Sequence, residues 1–233
     1  MTPHADDGHG HPVLPYYYKN IEQNGLSGED GFPVPADYTI DRHLALMDEA
    51  HIQWSLLTLS SPHPYYGDVD ACVKICRSIN EEAAAAAKQK YPGRFGFSAT
   101  LPHPAMDAAV KEAVYALDEL KADAGKLASN VQGLYMGNPS MRPLFHELNK
   151  RHAVITMHPH KPAPINDTVW TSGPVPVFEF LCDTTRAVLN MITEGVFEQY
   201  PNLRLIFPHC GTFIPNNNDR FTAMLSYTSN KGD

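Results

Sequence analysis

Long hydrophobic runs are missing from this 233-residue sequence. No stretch approaches the roughly 18 consecutive apolar residues that a membrane helix needs, which sets aside a membrane partner. The acidic, histidine-rich start lacks the basic and apolar regions of a signal peptide, so a cytoplasmic location is expected. Positive charge is also scarce, with 18 Lys and Arg against 26 Asp and Glu, a formal net charge of −8. No basic surplus is left to neutralise phosphates, and no nucleic-acid partner is expected. Cysteine is limited to Cys72, Cys76, Cys182 and Cys210, which form no Cys-x-x-Cys pair and no disulfide framework. Buried, reduced thiols are the expected state.

What remains is ordinary globular composition, 43% hydrophobic and 19% charged. The length suits one domain over 1–233, with residues 1–8 read as a flexible tail. Pro12 to Tyr18 reads as an extended loop and Asn24 to Asp37 as a glycine- and proline-rich surface loop. Beyond Thr39 the pattern is regular. Asp41 can cap a helix leading to the apolar run Ile52–Leu59, and Val69 to Tyr91 is helical and stopped by Pro92-Gly93. Strands are expected at Phe95–Leu101, Val131–Met136, Ala153–His158 and Leu203–Pro208. Helices are expected at Ala105–Ala122, Pro139–Arg151, Pro176–Tyr200 and Ile214–Tyr227. Strand and helix alternate, which means βαβ units and a mostly parallel sheet. Five strands are clear and a sixth, at the start, has no apolar run to support it. A closed eight-stranded barrel needs two more, so an incomplete TIM-barrel-like (β/α)8 fold is expected.

Histidine is the chemically informative residue. Ala153-Val-Ile-Thr-Met-His158-Pro159-His160 is a short apolar strand ending on a histidine, and Leu203 to Pro208 runs likewise into His209-Cys210-Gly211. In an α/β barrel the functional groups collect at the carboxyl ends of the strands, so histidines placed there repeatedly can converge. His9 and His11 are two apart, and on an extended strand both project to one face, as paired metal ligands must. The alternatives are a histidine-rich tail for the first pair and satisfied strand-end imidazoles for His158 and His209.

These segments carry a resemblance to the amidohydrolase-related superfamily, in the branch that includes aminocarboxymuconate semialdehyde decarboxylase and γ-resorcylate decarboxylase. His9-Gly10-His11 with Pro15 and the tyrosines is similar to that branch's first strand and loop. Met47–Ile52 with Ser60-Ser61-Pro62 resembles its second-strand region, and Asn80-Glu81 with Tyr91–Phe95 the passage to the third. Arg142–Phe145 with His158-Pro159 resembles the fifth-strand region, and Tyr200–Leu203 with His209-Cys210-Gly211 the sixth. The resemblance implies a distorted TIM barrel holding one divalent metal ion, usually zinc, with manganese as the alternative. It implies His9, His11 and His158 as ligands and His209 as the catalytic histidine. The family's further ligand, an aspartate ending an eighth strand, has no counterpart in this sequence.

The resemblance also implies a carbon–carbon lyase that decarboxylates a small aromatic or unsaturated carboxylic acid. A metal-dependent hydrolase of an amide, ester or lactone would use the same parts, and a truncated, inactive barrel fragment is the third reading. Tyr16, His63, Tyr65, His160 and Trp170 are the candidates for lining a substrate pocket, since tyrosine and tryptophan can enclose a ring. Each could instead be loop or packing. An incomplete sheet leaves an open edge that a second copy of the chain could cover, so a homo-oligomer is one expectation.

Overall fold

The computed structural model describes residues 5–28, 30–165 and 173–229. Strands β1 (Ala5–Gly10), β2 (Ile52–Leu57), β3 (Phe95–Thr100), β4 (Ala124–Ala128), β5 (Val154–His158) and β6 (Arg204–Ile206) form one sheet whose spatial order is the sequence order. Every neighbouring pair is parallel. Parallel neighbours require crossovers, and helices supply them. α1 (Pro15–Gln23) and α2 (Ile40–Glu49) follow β1, α3 (Val69–Ala84) follows β2, and α4 (Met106–Asp118) follows β3. α5 (Arg142–Lys150) follows β4, α6 (Glu179–Thr193) and α7 (Val196–Gln199) follow β5, and α8 (Asn218–Ser229) follows β6. Among the described residues this is six strands of a barrel-like sheet, with β1 and β6 at its edges.

The strands face two ways. Leu127, Ile155 and Met157 point outward against Leu144, Phe145 and Leu148 of α5 and Met191 of α6. Leu57, Phe95 and Phe97 pack with Ala83 and Ala84 of α3 in a second cluster. Each such side chain contributes about 1.5–3 kcal/mol when fully buried. The opposite face is polar, with Ser98, Thr100, Lys126, Thr156 and His158 all buried. Stability therefore comes from the helix layer, and chemistry is concentrated inside.

The fourth strand is Ala124–Ala128, not Val131–Met136. In the latter segment Asn130–Val131 pairs antiparallel with Leu134–Tyr135 across Gln132 and Gly133, both at positive φ, which makes it a tight hairpin. Residues 5–8, read from the sequence as tail, stand in β1, where Asp7 pairs with Ser55 of β2. Pro12 to Tyr18 is not all extended: Pro15 opens α1, which buries Tyr17 and Ile21 one turn apart. α2 is capped by Thr39, which accepts from the Arg42 N–H, rather than by Asp41. The long helix expected over Pro176–Tyr200 is divided, with Gly195 at φ 67° before α7. Cys72 and Cys76 are buried as expected, whereas Cys182 is half-buried and Cys210 exposed. No helix among the described residues is long and apolar enough to cross a membrane.

One buried carboxylate ties the end of β4 to α6. Asp183, fully buried, accepts from Tyr135 Oη at 2.5 Å, from Asn130 Nδ2 at 2.9 Å and from Ser129 Oγ. Ser129 Oγ in turn accepts from the His160 N–H at 2.9 Å, two residues past His158. Removing the carboxylate strands several donors at once, so Asp183→Ala is expected to lower unfolding stability by about 3 kcal/mol, and Asp183→Asn by less. Urea unfolding reads this as a lower midpoint at unchanged slope. A midpoint equal to that of the wild type would show that the network contributes nothing.

Candidate metal centre

β1 carries His9 and delivers His11 just past its end, while β5 ends on His158. Three strands separate β1 from β5 in the sheet, yet curvature brings these rings together. The His9 centroid lies 4.6 Å from that of His11 and 5.6 Å from that of His158, and His11 lies 4.9 Å from His158. One nitrogen from each ring falls within 4.8 Å of the others.

Backbone carbonyls orient two of the rings. His11 Nδ1 donates to the Thr58 carbonyl at 2.9 Å and His158 Nδ1 to the Pro159 carbonyl at 2.7 Å. Since a carbonyl can only accept, each Nε2 is left as a lone-pair donor, the arrangement that a hydrogen bond on the other ring nitrogen imposes on a ligating histidine. Ser60 Oγ lies 3.2 Å from His158 Nε2. Asp7 braces the third ring's strand: it accepts from the His9 N–H at 2.9 Å and from Ser55 Oγ at 2.8 Å.

Desolvation, followed by the neighbouring His11, pulls His9 down to about 3. Burial likewise holds His158 well below the ordinary imidazole range, with His11 the next cause. Neutral imidazoles are what a divalent metal takes up. Both ring nitrogens of His9 are buried without a hydrogen-bond partner, a costly state that an ion would relieve. On donor chemistry and on that orphaned ring, the cluster fits a divalent metal ion.

His209 lies directly after the Phe207-Pro208 end of the sixth-strand run. It opens a stretch at positive φ, with His209 at 54°, Cys210 at 55°, Gly211 at 70° and Thr212 at 55°. The residue is exposed overall, its ring stands 6.4 Å from that of His158, and desolvation lowers its proton affinity.

A cavity of about 300 Å³ adjoins the cluster, lined by His11, Tyr17, Phe32, Ser60, Ser61 and Phe180 among others. His63, Tyr65 and His160 line a second cavity of about 330 Å³. Tyr16 is in neither: it sits on the outer side of α1, 37% exposed, with its N–H on Glu82. Trp170 lies outside the described residues. A larger groove of about 530 Å³ runs along α2 and α3, with Tyr38, Asp41, Glu82 and Lys90 as its ionisable groups and none of the three clustered histidines in its lining. Asp7, Ser60 and Lys126 were not singled out from the sequence. Asp7 alone had a signal, standing two residues before His9 and hence on the same strand face.

The amidohydrolase family profile matches residues 6–228. A decarboxylase of Aspergillus niger is 32% identical over 219 residues, covering 90% of this chain and 59% of that protein. The 6-methylsalicylic acid decarboxylase of Penicillium expansum is 30% identical over 223 residues, covering 94% of this chain and 68% of that protein. The crystal structure of an amidohydrolase II superposes with a TM-score of 0.88 at 34% identity, over 92% of this chain and 69% of the other. That of 2,6-dihydroxybenzoate decarboxylase with bound 2,6-dihydroxybenzoate gives 0.78 at 25% identity, over 94% and 71%. The chain thus spans roughly three fifths to two thirds of the length of these two curated relatives.

Proposed function

The chain belongs to the amidohydrolase family, and from that membership we propose that it is a metal-dependent carboxy-lyase acting on a small aromatic or unsaturated carboxylic acid. The observation that carries this reading is the convergence of His9, His11 and His158 beside an aromatic-lined cavity, with the His209 ring 6.4 Å from that of His158. The decarboxylases among its relatives support a lyase over a hydrolase.

In this reading His9, His11 and His158 hold one divalent ion, zinc by preference for a three-imidazole set and manganese as the alternative. When bound, the ion supplies a Lewis acid that orients and polarises the oxygens of the acid. Tyr17, Phe32 and Phe180 take the ring and exclude water around the bond that breaks. As the carbon–carbon bond cleaves and CO₂ leaves, the electron pair stays on the substrate carbon, which must gain a proton. His209 delivers it. The residue reaches solvent, with which it can exchange protons, and its lowered proton affinity suits a group that gives the proton up.

The test is CO₂ release from a panel of hydroxybenzoates, with hydrolysis of amides, esters and lactones run in parallel. We expect CO₂ release that falls at least 100-fold in His209→Ala at unchanged metal content, the scale of a lost acid–base group. Hydrolysis without CO₂ release would overturn the lyase reading.

A further inference from the structure

The 300 Å³ cavity beside the three-histidine cluster has a single carboxylate in its lining and no lysine or arginine. That carboxylate is Asp30, between α1 and α2, and it is 9% exposed. Its backbone carbonyl accepts from the Val175 N–H at 3.0 Å, which ties the turn to the segment leading into α6. Its Oδ2 accepts from Ser61 Oγ, and Ser61 lines the same cavity. Ser61 follows Ser60, whose Oγ is 3.2 Å from His158 Nε2. One short stretch of wall therefore joins the acid to the metal-ligand candidates.

The second oxygen, Oδ1, has no hydrogen-bond partner among the described residues, and Asp30 has no salt-bridge partner there. Nor is Oδ1 one of the polar atoms sealed inside the protein, as an atom on a cavity wall should not be. Other polar groups of that wall are already engaged. Tyr17 Oη donates to the Pro62 carbonyl at 3.0 Å, Tyr38 Oη is 3.0 Å from His43 Nδ1, and Ser61 serves Asp30 itself. An ionised carboxylate offers about four lone-pair sites, and in surroundings this apolar each one left without a donor is costly. The cavity holds an acceptor whose donor must come from what binds there.

We propose that Asp30 is a specificity-determining residue of this cavity: Oδ1 accepts a hydrogen bond from a hydroxyl or amino substituent of the bound acid, and the carboxylate turns away acids that carry a second anionic group. This rests on the reading that the acid binds here, with its own carboxylate toward the histidines. It narrows the substrate to a monocarboxylate that bears a donor elsewhere on its ring. A phenolic hydroxyl and an ammonium group share that chemistry.

Calorimetric titration in the presence of zinc, with acids that differ at one ring position, tests the assignment. The favoured hydroxybenzoate isomer should bind about tenfold or more tightly than the matching fluorobenzoate, which is similar in size and lacks the donor, as one hydrogen bond to a charged acceptor warrants. The matching benzenedicarboxylate should bind more weakly than benzoate, because its second charge meets Asp30. The matching (aminomethyl)benzoate separates the two donors: tighter binding than hydroxybenzoate assigns the ammonium, weaker binding the hydroxyl. Asp30→Ala should bring hydroxybenzoate and fluorobenzoate to equal affinity. Asp30→Asn keeps an acceptor for Ser61 and should tighten the dicarboxylate about tenfold; either variant decides the question should the other not fold. An Asp30 that only supports the fold would lower all affinities alike and leave their ratios unchanged, which overturns the proposal. Equal binding of hydroxybenzoate and fluorobenzoate by the wild type overturns it too. CO₂ release is followed separately. Asp30-dependent discrimination without CO₂ release would sink the lyase reading and uphold this one, and CO₂ release without discrimination would do the reverse. A wild type that binds none of the acids overturns both.

Discussion

His158→Ala is expected to retain no divalent metal after dialysis, where the unsubstituted chain retains about one ion per molecule. His158 is the one ligand candidate that is wholly buried, and it alone brings β5 to the two histidines supplied by β1. Without it His9 and His11 remain as a pair two residues apart, at and just past the end of one edge strand, and two imidazoles hold an ion far more weakly than three. Loss of an outer partner alone typically lowers metal affinity 10- to 100-fold, so loss of a ligand should exceed 100-fold, or about 2.7 kcal/mol. Elemental analysis gives the stoichiometry and a competing chelator the affinity. His209→Ala is the informative control, because its ring stands 6.4 Å from that of His158 and outside the cluster. It should keep the metal and lose turnover. Equal metal content in wild type and His158→Ala would mean that the three rings converge for some other reason, and the lyase reading would go with them.

The legible parts of this chain were those where local chemistry and tertiary position agree. His158 ends an apolar run and precedes Pro159, so its place at a strand's carboxyl end could be read directly. His9 was harder, since β1 is Ala-Asp-Asp-Gly-His-Gly, an edge strand whose first residues are exposed and carry no apolar pattern. Only its likeness to a family motif, and afterwards its pairing with β2, revealed it. β4 was missed for a related reason. Ala-Gly-Lys-Leu-Ala has little β propensity, and its burial on both faces is set by neighbours distant in sequence. The same misplacement hid Lys126, a buried lysine that pairs with Thr156 on the polar face of that strand. Asp183 was invisible for the opposite reason. It sits mid-helix in α6, where a carboxylate normally faces water, and only the hairpin after β4 turns Tyr135 and Asn130 toward it.

The buried histidines carry a second consequence, a steep loss of stability in mild acid. His9 and His103 each have a folded-state pKa of about 3, chiefly through desolvation, against an ordinary 6.5. A group whose folded value is depressed stabilises the fold above its unfolded pKa and loses that contribution as pH falls. The unfolded chain binds a proton near 6.5 while the folded chain refuses it until about 3. Across that window each imidazole removes about 1.4 kcal/mol per pH unit, so between pH 7 and pH 5 the two together remove about 4 kcal/mol. His63 and His158, both shifted well below the ordinary range by burial, act in the same direction. A domain of ordinary stability has only about 5–15 kcal/mol in all, so the metal-free chain should be close to unfolding at pH 5. Urea unfolding of chelator-treated protein at pH 7, 6 and 5 measures the slope. His103→Gln should flatten it by about one proton, whereas added metal should raise stability across the range without flattening the slope, because an ion that binds only the folded ligands keeps them unprotonated. A stability that stays level from pH 7 to pH 5 would mean that these rings take up protons in the folded chain, and neutral ligands could then no longer be assumed at the metal centre.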